Sequence, residues 1–172
     1  MELKLKNIDK VFENIKSYPE DLKKVVNNEF KAFGNNVVSD AKKLAPTNLG
    51  ILKNSIRSAQ TDLKVSISVN VDYAAYLEFG TKSFAQSYVS TLPPDWQTFA
   101  AEYKGSSGGS FKEFVMRIVK WCKDKGIEEK AAYPIALKIL RTGIKPHPYL
   151  FPAFEKNKIE LIKNLKAQLN AK

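Results

Sequence analysis

The chain has 172 residues, of which 44% are hydrophobic and 27% charged, and its 28 Lys and Arg against 18 Asp and Glu leave a net charge of +10. That size predicts one domain, residues 1–172, and that composition excludes gross disorder. One cysteine, Cys122, and one histidine, His147, exclude an internal disulfide and a zinc site, and no apolar run approaches the ~20 residues of a membrane span.

The N-terminal segment MELKLKNIDK has no apolar signal core, so the chain is expected to stay in the cytoplasm where it is made. Leu3 and Leu5 alternate with lysines as an edge strand would, and Ile8, Val11, Phe12 and Ile15 then fall on one helical face. Ser17-Tyr18-Pro19-Glu20 has the form of a capping box with Pro19 in the first turn. The helix it opens carries a continuous apolar stripe: Leu22, Val26, Phe30, Phe33, Val37, Ala41 and Leu44. Gly34 interrupts that pattern, and Pro46 ends it.

A β region follows. Ser55 to Ala59 is expected as a first strand, Thr61-Asp62 as a turn, and Val65, Ile67, Val69 and Val71 alternate with polar residues as a half-buried strand. The long helix should pack across this sheet, giving an α+β fold with a small antiparallel sheet. From Lys82 to Gly109 no periodicity survives between the breakers Pro93-Pro94 and Gly105 to Gly109. That stretch is expected to be irregular and mobile in the free subunit, with Trp96, Phe99 and Tyr103 exposed. Ser110 caps a second helix with Phe111, Phe114, Val115, Ile118, Val119 and Cys122 inward, and Gly126 stops it. A third helix runs from Pro134 to Arg141 with Ile135, Ile139 and Leu140 inward, closed by Gly143. A last helix begins at Pro152, with Phe154, Lys158, Leu161, Leu165 and Leu169 on one face.

Residue chemistry points away from catalysis. His147 stands between two prolines without a serine or cysteine motif to serve as base. Glu78, between Leu77 and Phe79, reads as structural or interfacial, since general acid catalysis needs a second carboxylate at a defined distance. Gly105 to Ser110 lacks the strand before and the Gly-Lys-Ser/Thr ending of a phosphate loop. No catalytic residue, cofactor or metal is expected. Only Arg57, Arg117 and Arg141 are arginines; the other 25 cations are lysines spread along the chain, which reads as a solvated basic surface.

Three short boxes stand out: APTNLGILKNSI from Ala45, YAAYLEFGT from Tyr73, and PHPYLFPAF from Pro146. The third reads as an extended aromatic arm before the last helix, fit either for the core or for another surface. In this order the boxes resemble a family of tailed-phage neck proteins, the tail-completion or head-tail joining proteins, also described as minor tail components. Two departures are visible: the family's Thr-Gly pair is lengthened to Asn48-Leu49-Gly50, and residues 84–145 form a helical insertion relative to short family members.

The resemblance implies a structural virion protein of a phage or prophage, not an enzyme. It implies a homo-oligomeric ring around the DNA channel at the head-tail junction, between portal or adaptor proteins and tail-tube or tail-terminator proteins. Weak non-specific DNA contact, no membrane, and host cytoplasm before the virion go with it. The positions it marks as fold or interface residues are Pro46, Gly50, Tyr73, Tyr76, Glu78, Phe79, Gly80, Thr81, Pro148, Tyr149, Leu150, Pro152 and Ala153. The alternative the charge supports is a basic nucleic-acid-binding module; a hydrolase within the inserted helices has no motif behind it.

Overall fold

The computed structural model describes residues 2–4, 19–47, 50–103 and 110–170. In chain order the first elements are β1 (Glu2–Lys4), α1 (Glu20–Leu44), α2 (Ile51–Ser55), β2 (Ile56–Thr61), β3 (Lys64–Val69) and α3 (Ala74–Phe79). There follow α4 (Lys82–Val89), α5 (Pro94–Glu102), α6 (Phe111–Asp124), a 3₁₀ turn (Glu129–Ala131), α7 (Ala132–Thr142) and α8 (Leu150–Asn170). Two compact units result: Met1–Ala74 with Pro148–Lys172, and Ala75–His147.

In the first unit an antiparallel sheet of order β1-β3-β2 carries α1 on its apolar face. The fold is α+β, as expected, with the long helix on a small sheet. Val65, Ile67 and Val69 are buried, and so are Val26, Phe30, Phe33, Val37 and Ala41 of α1. Each large side chain among them contributes roughly 1.5–3 kcal/mol by leaving water. Leu44, expected in the stripe, is 45% exposed, because the helix ends there and Ala45 turns to extended geometry before Pro46.

Gly34 does more than interrupt the stripe. A Cβ built there would lie 2.9 Å from Val65 Cγ2 and 3.1 Å from Ser58 Cβ, so the missing side chain lets α1 approach the sheet closely. At its other end α1 starts from Pro19 as N-cap, without a side-chain cap, and the Pro19 carbonyl accepts from the N–H groups of Leu22 and Lys23 at 3.0 and 3.2 Å. Pro19 therefore precedes the first turn instead of lying in it. Ser17 of the expected capping box, Leu5 and the Ile8–Ile15 face lie outside the described residues.

The β2–β3 hairpin turns at Asp62-Leu63. Leu63 takes φ +52°, a left-handed conformation usually left to Gly or Asn, and is nevertheless buried. Asn27 of α1 accounts for this: its Oδ1 accepts from Leu63 N–H at 2.9 Å, and its Nδ2 donates to Asp62 Oδ1 at 3.0 Å. The strand β2 runs to Thr61, and Ser55 belongs to α2, whose hydroxyl donates back to Leu52 O at 2.8 Å.

Helix α8 packs on α1. Phe33 and Phe154 meet edge to face at 5.4 Å between centroids. Asp40, with only 18% of its side chain exposed, accepts from Lys156 Nζ at 2.8 Å, Lys43 Nζ at 3.0 Å and Asn157 Nδ2 at 3.3 Å. These partners, Lys156 first and then Lys43, hold its carboxyl far below the ordinary value of 3.8. A carboxylate with a depressed folded pKa stabilises the fold above its unfolded pKa and loses that contribution as pH falls through the folded one. Asp40→Asn should therefore lower the thermal midpoint at pH 6–7, and the gap to wild type should close progressively below about pH 4. A gap that stays constant down to pH 2 would assign the loss to packing.

Candidate interface elements and their closure

Within the second unit the end of the Tyr73 box and the start of the Pro146 box are stitched together. His147 N–H donates to Leu77 O at 2.6 Å, Thr81 N–H to Ile144 O at 3.0 Å, and Ile144 N–H to Thr81 Oγ1 at 2.8 Å. Lys82, at φ +55°, sends its Nζ to the carbonyl of Leu140 at the end of α7. Two glycines make this closure sterically feasible. Gly80 has φ +76°, and a Cβ on it would fall 2.8 Å from Ile144 O. Gly143 has φ +86°, and a Cβ there would fall 2.5 Å from Thr81 O. The role of Gly143 was legible only as a helix stop; the contact with Thr81 has no local signal.

Around this closure lies an aromatic cluster. Phe79, Trp96, Phe99 and Tyr103 meet at centroid distances of 5.2–6.4 Å, largely edge to face. This corrects the sequence expectation for residues 82–103: the segment forms two helices, and Trp96 and Phe99 are buried. Pro93 and Pro94 do not break structure; they are the N-cap and first residue of α5, where a missing N–H costs nothing. Helix α6 begins at Ser110 with the full capping box, Ser110 Oγ accepting from Glu113 N–H and the Glu113 carboxylate from Ser110 N–H. Cys122 is fully buried on its apolar face. Helix α7 starts at Ala132, ahead of Pro134, and Leu140 is 46% exposed, not inward.

The marked positions divide by burial. Glu78, Phe79, Gly80, Tyr149, Leu150 and Ala153 are buried. Pro46, Gly50, Tyr76, Thr81, Pro148 and Pro152 are half-buried, and Tyr73 is 39% exposed. Glu78 is fully buried, and its charge reaches Tyr88 of α4. Burial first, and then the negative charge of Glu78, push the Tyr88 hydroxyl up to about 12, and that hydroxyl has no hydrogen-bond partner among the described residues. Burial alone raises Tyr73.

The proline frame at residues 146–154 is also corrected. Leu150 to Phe154 are already helical, so the extended arm shrinks to the residues before Leu150, and Tyr149 is fully buried within the chain. Tyr149 and Phe154 are thus core residues of the protomer, while Phe151 stays half-buried. Gly50, at φ +71°, forms the N-cap of α2. His147 is exposed and takes part through its backbone. Among the described residues no cluster of His, Cys, Asp or Glu is arranged to hold a metal, and no helix is long and apolar enough to cross a membrane.

Residues 9–80, 72 of the 172, match the family model described as "Bacteriophage HK97-gp10, putative tail-component". The match takes in the first box and the second up to Gly80; the third lies beyond it. No curated protein and no solved structure matches the chain. The resemblance to phage tail components therefore stands on an independent comparison over that segment, and it supports a structural, phage tail-related protein of the virion.

Proposed function

We propose that the chain is an assembly protein of the head-tail junction, a tail-completion or connector component whose copies close into a ring around the channel for DNA. The observation that carries this reading is the ordered set of boxes, the first and the second up to Gly80 inside the family match, and the third bonded to the second from His147 to Leu77, with Ile144 just ahead of it bonded to Thr81. The chemistry is that of a scaffold. The marked residues close turns, fill the core or lie half-exposed.

Portal or adaptor proteins on one side and tail-tube or terminator proteins on the other are the partners this position requires. Contact surfaces would come from the exposed Tyr73 and the half-buried Tyr76, Phe151 and Pro152, since buried positions serve the protomer itself. Residues 84–145 would then be an insertion on the family scaffold, the whole chain acting as one assembly unit.

Sedimentation of the purified chain across a range of concentrations tests the reading. Mass-action growth to one closed oligomer, alone or on addition of the tail complex, is expected. Phe151→Ala should weaken that association by tenfold or more while leaving the thermal midpoint within a few degrees, because interface aromatics carry much of the binding energy. A chain that stays monomeric with virion partners present would overturn the ring.

A further inference from the structure

We infer that the paired helices α6 and α7 form a docking face for an acidic amphipathic helix of a partner protein. Among residues 111–142 only Cys122, Ala132 and Ala136 are buried, and all three are small. Phe111, Met116, Trp121, Ile127, Tyr133 and Leu140 are exposed, six of the eleven large apolar side chains exposed on the described part of the chain. A helix pair that buries no large side chain leaves its apolar surface incompletely covered, and a contiguous apolar patch marks a place where another molecule binds.

Most of these side chains line up. On α6, Phe111, Phe114, Ile118 and Trp121 follow one another by three, four and three residues, and so lie along one side of the helix. Phe111 and Trp121 are 42% and 36% exposed, with Phe114 and Ile118 half-buried between them. The buried Cys122 belongs to the neighbouring side, with Val115 and Val119. On α7, which packs on α6, Ala132 and Ala136 mark the inward side. Beside it run Tyr133, Leu137 and Leu140, the first 56% and the last 46% exposed. Phe111 and Tyr133 meet edge to face at 5.8 Å between centroids, so the two stripes join into one strip. Met116 stands apart, on the opposite side of α6.

The shape of the strip selects a helix. From Phe111 to Trp121 it runs about 15 Å, nearly three helical turns, and spacing by three and four is the seam along which helices interlock. A lipid surface takes up a wider apolar face. The charge selects an acidic helix. Residues 111–142 carry eight Lys and Arg against four Asp and Glu. Three of those carboxylates are engaged locally: Glu113 in the cap of α6, Glu129 with Lys123 and Glu128 with Lys130. Arg117 lies three residues after Phe114 and four before Trp121, and Arg141 lies four after Leu137. Two of the three arginines of the chain, both exposed, therefore flank the strip, and their forks suit carboxylates beside an apolar contact. A second copy is the poorer occupant, since it brings the same cationic rim and a net charge of +10. The face lies beyond the family match at residues 9–80, and a ring can close with it vacant, so it adds a partner to the assembly reading without depending on it.

The probe is a labelled synthetic peptide of about 18 residues, above the length at which an isolated helix is marginal, with Leu at helical spacing on one face and Glu and Ala elsewhere. One comparator carries Lys in place of Glu; the other has the same composition with its leucines scattered round the helix. Fluorescence anisotropy with the full chain should show the acidic amphipathic peptide binding about tenfold or more tightly than either. Trp121→Ala with Leu140→Ala should weaken that binding by about tenfold. Arg117→Gln with Arg141→Gln should weaken it by about threefold or more and reduce its dependence on salt. Met116→Ala with Lys120→Gln, on the far side of α6, should leave it within about twofold. Should the Trp121 and Leu140 variant fail to fold by circular dichroism, Leu140→Ala alone replaces it, with a loss of about threefold expected. Absence of binding at about 1 mM acidic peptide, equal binding of the Lys peptide, or equal losses from the two sides of α6 would overturn the inference. So would tighter binding to anionic phospholipid vesicles, or self-association of the chain that the Trp121 and Leu140 changes abolish.

Discussion

Replacing Gly80 with alanine is expected to cost about 3 kcal/mol or more of stability and to loosen residues 75–147 first. Two separate penalties act. At φ +76° an L-residue pays about 1–2 kcal/mol for its conformation alone. The new Cβ would also meet Ile144 O at 2.8 Å and Pro146 N and Cδ at 2.9 Å. Those atoms cannot retreat freely, because Ile144 is held by two hydrogen bonds to Thr81 and His147 by one to Leu77. Gly126 supplies the control: its φ is +67°, but a Cβ there meets nothing within 4 Å. Gly126→Ala should therefore cost only the backbone penalty, about 1–2 kcal/mol. Denaturant titration of both variants reads the difference. Equal costs would mean that the contact between the two boxes is not a constraint.

Tyr149→Ala is expected to lose about 3–5 kcal/mol, the range for truncating a buried aromatic side chain. Tyr149 is fully buried, and its neighbour Leu150 is too. Any loss of association in this variant would then follow from a destabilised protomer, not from a missing docking contact. Phe151, half-buried two residues further along, is the probe for the proposed interface. A Tyr149→Ala protein as stable as wild type but unable to associate would reverse these roles.

Much of the first unit was legible because its signals are local. The α1 stripe repeats at helical spacing, β3 alternates with period two, and Pro46 stops the helix two residues past its last residue, Leu44. What was not legible depends on partners distant in sequence. Gly34 reads as a weakness until Val65 and Ser58 are seen against it, and Leu63 accepts a left-handed backbone only because Asn27 reaches it. Helices α4 and α5 were missed for a related reason. Their apolar faces are short, and the proline pair that opens α5 looks like punctuation when read alone. The Tyr73 and Pro146 boxes could be singled out as devices of the fold, but the bond from His147 to Leu77, distant in sequence, could not.

Burial also narrows what the boxes can do. Glu78, at the centre of the second box, is enclosed near Tyr88, so its contribution is to the protomer before it is to any neighbour. On the proposed assembly role, the side chains left for contact are those of Tyr73, Tyr76, Phe151 and Pro152.

Electron cryomicroscopy of purified phage particles carrying a tagged copy of this chain tests the assembly role most directly. A single closed ring of the protein between portal and tail tube, absent elsewhere in the particle, is expected. Particles that lack the protein, or that carry it distributed along the tail with an intact neck built from other chains, would contradict it.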